Sequence, residues 1–312
     1  MELGIVGLGK MGAGMARRLA RAGVHVICYD KAGGAVEAMA GEPNVDCAEN
    51  LAALCARLGG ERVIVIMLPA GEPVEETIRE LLPLVSAGDT LVDGGNSYYR
   101  DSKRRALALS QQGLRYVDAG ISGGVHGAQH GYCLMLGGTP KSIEIFEPFA
   151  RILAADAERG WLHCGPSGAG HYAKMIHNGI EYGMMQALAE GFALIAARPE
   201  LDIDAGRLAE TWRHGSVVRS WLLDLCSDIL EKNEDLSGVA PVVADSGEGR
   251  WTALESIELG VPAPVITMAL MSRFSSQGKS DYAGKLLAMM RAGFGGHAVS
   301  AASGGGHEVK KN

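Results

Sequence analysis

No two cysteines in this chain stand at CxxC or any other metal-ligand spacing. The six, at 28, 47, 55, 133, 164 and 226, suit reduced, buried thiols of a cytoplasmic protein better than a disulfide framework. Long apolar runs are missing too, so no stretch has the length to span a membrane. No signal peptide is expected, because Met1-Glu2 leads directly into a strand. Basic surplus is absent: the formal net charge is −7, which argues against a nucleic-acid surface. An anionic ligand would have to be caught by local cations, not by the overall field. Internal repeats are also lacking. What is present is 312 residues, 47% hydrophobic and 21% charged, enough for two domains with a real core.

The amino-terminal half alternates strands and helices. Leu3 to Val6 is a short apolar run ending at GLGKMG, the pattern G-x-G-x-x-G at Gly7, Gly9 and Gly12. A helix from Met11 to Ala22 follows, which is the context a dinucleotide fingerprint demands. The first glycine allows the tight turn, the second lets backbone approach a pyrophosphate, and the third lets helix pack on strand, with the helix N-terminus toward the phosphates. A second strand, His25 to Tyr29, ends in Asp30, whose carboxylate would accept the ribose hydroxyls of NAD and repel the 2′-phosphate of NADP. Lys31 partly offsets that repulsion and leaves NADP open. Further strands are expected at Arg62 to Leu68, Thr90 to Asp93, Arg115 to Asp118 and Tyr132 to Leu136. Asn96 and Ser97 follow the second of these runs, where a cap or turn is the commoner role. Ser122-Gly123-Gly124 offers a backbone nest for a carboxylate. His126 and His130 lack a third ligand at metal-site spacing, so no metal is expected.

From about Ser167 the chain reads as helical. Gly168 to Gly191 forms one long helix, with others at Asp204 to His214, Ser220 to Glu231, Gly249 to Leu259, Pro264 to Ser275 and Tyr282 to Met290. On the long helix Lys174, His177, Asn178 and Glu181 lie at offsets of 0, 3, 4 and 7, so an amine, an imidazole, a carboxamide and a carboxylate share one stripe. Met175, Ile176, Ile180, Met184, Met185 and Leu188 are expected to pack around the rest of the circumference. Glycines at 168, 170, 179 and 183 disfavour a helix by about 1 kcal/mol each and suggest close approach of something else. The fold class expected is a Rossmann-type doubly wound α/β domain over 1–165, an all-helical domain over 166–299, and a flexible tail over 300–312.

These strings together resemble the decarboxylating 6-phosphogluconate dehydrogenases, in the short bacterial form, within the β-hydroxyacid dehydrogenase superfamily. The resemblance runs from GLGKMG to about His297 and is carried by DGGNSYYRDS (93 to 102), ISGG (121 to 124), GAGHYAKMIHNGIEYG (168 to 183) and GEGRWT (247 to 252). It implies oxidation of 6-phospho-D-gluconate to D-ribulose 5-phosphate and CO2, in the pentose phosphate pathway, with reduction of NAD or NADP and no metal. Lys174 falls on the family's general base and Glu181 on its general acid. Asn96, Ser122, Gly123, Gly124, His177, Asn178 and Tyr182 fall on substrate contacts. Gly7, Leu8, Gly9, Lys10, Met11 and Gly12, with Leu68, Pro69, Ala70 and Asn96, fall on the cofactor site. Arg250 stands where better-known members carry lysine, keeping the charge but changing the geometry. Arg273 matches an arginine for the substrate phosphate. Arg291 and His297 match a pair donated by a neighbouring subunit, which implies a homo-oligomer.

For such chemistry Lys174 must be neutral to take a proton, so burial or positive neighbours must lower its pKa. Glu181 must be protonated to deliver one, which an apolar setting favours. The alternative reading is a non-decarboxylating relative acting on a 3-hydroxyisobutyrate-like acid. It needs the fold and the lysine, but neither that acid nor phosphate-binding arginines.

Overall fold

The structure is a computed structural model that describes residues 1–232 and 236–295. Eight strands form one sheet: β1 (Glu2–Val6), β2 (His25–Tyr29), β3 (Val45–Cys47), β4 (Val63–Ile66), β5 (Thr90–Asp93), β6 (Arg115–Ser122), β7 (Cys133–Gly138) and β8 (Trp161–Gly165). Their order is β3-β2-β1-β4-β5-β6-β7-β8. Neighbours are parallel except β6 and β7, which pair antiparallel. Between them come α1 (Lys10–Arg21), α2 (Gly33–Glu37), α3 (Leu51–Arg57), α4 (Glu72–Leu81), α5 (Tyr99–Ser110), α6 (Gly127–His130) and α7 (Pro140–Leu153). Then follow α8 (Ala169–Ala196), α9 (Ala205–Arg213), α10 (Trp221–Lys232), α11 (Glu248–Leu259), α12 (Pro264–Ser276) and α13 (Asp281–Gly295). The amino-terminal part is therefore a Rossmann-type sheet and the carboxyl-terminal part is helical.

Two compact units account for the packing. One comprises Met1–Glu181 with Gly247–Pro262; the other comprises Tyr182–Ser246 with the chain from Ala263. The division falls inside α8. In the first unit both faces of the central strands are covered, so β1 and β4 are apolar over most of their length. Leu3, Ile5, Val26, Val65 and Val117 point into one core with Met15, Leu19 and Phe146. Val6, Ile27, Ile64, Ile66 and Leu91 point into the other with Leu54 and Leu81. The strand order reverses between β1 and β4, and the loops at Gly7–Gly12 and Leu68–Ala70 leave their carboxyl ends there. This is where open α/β sheets bind ligands. In the second unit α9 and α10 pack as a pair through buried Ala209 and Leu223, and Asp204 caps α9 by accepting from the amide of Arg207 at 2.8 Å.

Several elements escape the sequence pattern. β3 is three residues long at a sheet edge and only half-buried, too short to show a period. β8, Trp-Leu-His-Cys-Gly, has Leu162 exposed, so its apolar and polar positions do not sort by face. Helices α3 and α4 also lie in stretches that the hydrophobic pattern left unassigned. On α8 the apolar residues do not all pack: Met175 is buried, but Ile180, Met184 and Met185 are 51%, 42% and 40% exposed. A helical period shows that a face is apolar, not that this chain covers it.

The glycines of α8 divide by what surrounds them. Gly168 has φ +96° and precedes the helix. A Cβ on Gly170 would collide with the backbone of Asp118, Met135 and Gly137, and one on Gly179 would strike Thr252. Gly191 has open space. Gly170→Ala should therefore destabilise by about 2–4 kcal/mol through overpacking, whereas Gly191→Ala should stabilise by about 0.5–1 kcal/mol from helix propensity. Denaturant unfolding of the two variants checks both signs.

Candidate active site

The site is built by β6 and by the part of α8 that belongs to the first unit. Asp118, Gly120 and Ser122 alternate along β6, so they project to one face. Asp118 is fully buried and accepts from the amides of Gly168 (2.7 Å) and His171 (3.0 Å). It thereby satisfies donors that a helix start leaves orphaned and places a negative charge at the positive end of α8. Two residues on, Gly120 lies under Lys174: a Cβ there would overlap the Cβ of the lysine and the carbonyl of Gly170. Two further on, Ser122 Oγ is 3.4 Å from His177 Nε2. The strand thus meets successive turns of the helix.

Lys174 is 7% exposed. Its Nζ donates to Asn178 Oδ1 at 2.7 Å, and His177 Nδ1 reaches the same oxygen at 3.0 Å. Because a carboxamide oxygen only accepts, the imidazole carries its proton on Nδ1, leaving Nε2 to accept from Ser122. Glu181 Oε2 lies 3.9 Å from His177 Nδ1, and the Glu181 side chain is 38% exposed. The carboxylate is thus half-open and not enclosed in an apolar setting. Burial pushes the Lys174 pKa below its ordinary 10.5, against the opposing pull of the Glu181 and Glu248 carboxylates. Glu248, buried at the start of α11, was not singled out from the sequence; nor were Asp118, Gly120 or Thr252. Thr252 Oγ1 donates to the carbonyl of Met175 at 2.9 Å and ties α11 to α8. A buried acid and a glycine at even spacing along one strand were the available signals.

Other predicted residues lie in two groups. In the first unit, Gly123 and Gly124 have φ of +127° and +52° at the start of a 3-10 turn. Asn96 is exposed after β5. Its loop is held by a buried ion pair, Arg105 to Asp93 at 2.7 Å, with Arg105 also donating to Ser97 Oγ at 3.1 Å and Tyr116 donating to Asp93 at 3.0 Å. Arg250 is exposed on α11. In the second unit, Tyr182 is buried, with its hydroxyl 3.4 Å from Asp245 Oδ1. Arg273 stacks on the Tyr182 ring, its Cζ 3.4 Å from the centroid, and donates to the carbonyl of Ala244 at 2.9 Å. Arg291 is exposed on α13, and His297 lies outside the described residues.

The nucleotide loop fits its ligand class. Gly7 has φ +98°, and a Cβ on it would meet the carbonyl of Met67; one on Gly12 would meet the carbonyl of Gly7. Gly9 has open space where a side chain would point. No side chain caps α1, and its first turn holds no acid, so its amides are available to a pyrophosphate. Leu8 is buried, while Lys10 is exposed and Met11 half-buried at the helix start. Pro69 and Ala70 are exposed and Leu68 half-buried. Asp30 accepts from the amides of Leu8 (2.6 Å) and Ala32 (2.7 Å). A cavity beside it is lined by Gly7, Tyr29, Asp30, Lys31, Leu68 and Thr77, among others. All six cysteines are free, and burial raises the Cys28 thiol to about 12. Among the described residues no cluster of three metal-ligating side chains occurs, and no helix is long and apolar enough to cross a membrane.

Fold and site together define a nicotinamide-dinucleotide oxidoreductase. Residues 2–165 match the NAD binding domain of 6-phosphogluconate dehydrogenase, and residues 170–300 match the 6-phosphogluconate dehydrogenase C-terminal domain. An NAD(+)-dependent, decarboxylating 6-phosphogluconate dehydrogenase of Haloferax volcanii is 41% identical over 301 residues, covering 96% of this chain and 99% of the relative. The chain belongs to the 6-phosphogluconate dehydrogenase family. An NADP(+)-dependent, decarboxylating member from Bacillus subtilis is 34% identical over 90% of the chain, but the match spans 62% of that longer protein. Among solved structures, 6-phosphogluconate dehydrogenase of Plasmodium falciparum superposes with a TM-score of 0.81 at 26% identity, over 98% of this chain and 67% of that one. A 3-hydroxyisobutyrate dehydrogenase of Mycobacterium tuberculosis shares the fold, with a TM-score of 0.70 at 23% identity, over 90% of this chain and 94% of that one.

The depressed Lys174 pKa has a consequence for stability. Below the folded-state pKa the lysine is charged in both folded and unfolded chains, so the whole penalty of burying the cation is present. The penalty fades as pH rises through the folded value toward the unfolded 10.5. The stability of Lys174→Met relative to the wild type should therefore be highest near neutral pH and fall as pH rises toward 10. Denaturant unfolding across that range measures it, and a relative stability that climbs with pH would contradict the buried ammonium.

Proposed function

We propose that the protein catalyses the oxidative decarboxylation of 6-phospho-D-gluconate to D-ribulose 5-phosphate and CO2, with NAD as the preferred cofactor. The family supplies the reaction; the observation that carries the reading here is the buried Lys174 amine, seated on Gly120 and aligned with Asn178, His177 and Glu181. The product belongs to the pentose phosphate pathway.

A nicotinamide dinucleotide held by the Gly7–Gly12 loop would supply the hydride acceptor for C3 of the substrate. Lys174, made easier to deprotonate by burial, accepts the proton of the 3-hydroxyl. Its hydrogen bond to Asn178 fixes the amine while leaving the nitrogen lone pair for that proton. The resulting β-keto acid loses CO2 because its C3 carbonyl receives the electron pair of the breaking bond. Protonated Lys174 then stabilises the developing enolate oxygen. Glu181 delivers a proton to C1 of the enediol, the former C2 of the substrate, to complete ribulose 5-phosphate. Seven residues separate the two groups, about 10 Å of helix rise, a span that two long side chains need to serve different carbons of one sugar acid. His177 and Ser122 position the substrate between them, with Asn96, Gly123, Gly124 and Arg250 as further contacts. Tyr182 and Arg273 are proposed for the substrate phosphate end.

Arg291 and His297 are proposed to complete the site of a neighbouring copy, which makes the protein a homo-oligomer of the cytoplasm. Exposed Val265 and Met268 on α12, and Leu286, Leu287 and Met289 on α13, supply apolar surface for such association. Light scattering coupled to size exclusion should return at least a dimer, and a monomer at assay concentration would remove the shared site.

Lys174→Met should lower turnover by about 10³-fold or more, with the dissociation constant for 6-phosphogluconate changed little. Absorbance of the reduced cofactor and CO2 release, followed together, test both the role and the reaction. Hydride transfer without CO2 would point to the non-decarboxylating alternative, neither signal to a non-catalytic nucleotide sensor, and normal turnover of the variant would take Lys174 out of the mechanism.

A further inference from the structure

The cavity beside Asp30 holds charges that the cofactor reading has not used. Lys31 is the one cation among its lining residues, and Glu76 lines it as well. Lys31 Nζ stands 3.9 Å from Glu76 Oε2 and 3.7 Å from Glu80 Oε1. Those two acids are four residues apart on α4, so they share one face of the helix, where like charges repel unless a cation lies between them. Asp30 has both carboxylate oxygens fixed by backbone amides, those of Leu8 and Ala32, and each oxygen keeps a further lone pair for a ribose hydroxyl.

We propose that Glu76 and Glu80 are specificity-determining residues for the dinucleotide: they occupy Lys31 and set a negative field at the 2′ position of the adenosine ribose. The inference rests on the cofactor reading above and deepens it. A free ribose diol meets Asp30 as an acceptor and gains hydrogen bonds. A 2′-phosphate brings close to two negative charges toward three carboxylates and an ammonium already engaged. The sequence places Lys31 where it could rescue NADP binding; the α4 carboxylates withhold it. These pairs are long, and the Lys31, Glu76 and Glu80 side chains are 63%, 46% and 53% exposed. Such pairs contribute little to folding, so the acids are free to be exchanged without loss of the fold, and their effect lies in the local potential.

The test is calorimetric titration of the full-length protein with NAD+ and NADP+ separately, in the absence of sugar acid. Glu76→Gln combined with Glu80→Gln should tighten NADP+ binding by about tenfold and leave NAD+ within about twofold. Adding Lys31→Ala to that background should remove most of the gain, because the released ammonium is what meets the phosphate. In the wild type the preference for NAD+ should narrow as salt rises from about 0.01 M to about 1 M, since the repulsion is screened; this readout needs no variant. NADP+ affinity unchanged in the double variant, or both dinucleotides strengthened alike, would overturn the inference while NAD+ binding by the wild type keeps the cofactor reading. A wild-type protein that binds neither dinucleotide would overturn both.

Discussion

Everything proposed for the site depends on how closely one helix lies against two strands. Gly170 on α8 rests on the backbone of Asp118 on β6 and of Met135 and Gly137 on β7, and Gly120 on β6 leaves room for the Gly170 carbonyl and the Lys174 stem. Asp118 sits at that contact, where a Cβ on Gly137 would run into its carboxylate. Such an approach leaves a buried helix start with amides to satisfy, and Asp118 satisfies two of them. The same approach brings the lysine stem onto bare strand. Burial of its amine, and the resulting fall in its pKa, follow from the glycines and not from the lysine itself.

The polar groups around that contact are arranged in connected rows. Ser122, His177, Asn178 and Lys174 form one, in which the hydroxyl donates to the imidazole, and the imidazole and the amine both donate to the carboxamide oxygen. Asp93, Arg105, Ser97 and Tyr116 form another, which holds the loop bearing Asn96. In both rows buried members are paired, as a low-dielectric interior requires. Holding side chains this way removes rotamer freedom before any ligand arrives, which is what positions chemistry to within a fraction of an ångström.

Charge is handled locally. The chain as a whole is acidic, yet the pyrophosphate loop carries no acid in the first turn of α1. Asp30 and Glu76 line the cavity beside it, and Glu80 stands 3.7 Å from Lys31. The loop proposed for the pyrophosphate and the acids proposed to reject a 2′-phosphate therefore sit on the same sheet rim.

Periodicity and punctuation made much of this legible from residues alone. The glycine fingerprint, the acid closing β2 and the amine-to-carboxylate stripe at helical spacing are local patterns, and local patterns survive in a linear string. So does the change from strand to helix near residue 167. What needed three dimensions were relations between distant segments. Gly120 reads as an ordinary strand glycine until Lys174 lies over it, Asp118 as a strand acid until α8 starts beside it, and Lys31 as a free cation until α4 presents Glu76 and Glu80. Ile180, Met184 and Met185 read as packed and are open, because burial depends on what covers a face. The sequence by itself determined which chemical groups were available and which of them share a helix. Only tertiary structure decided which are buried, which are paired and what charge each keeps, because solvation and partner distance are properties of the packed chain.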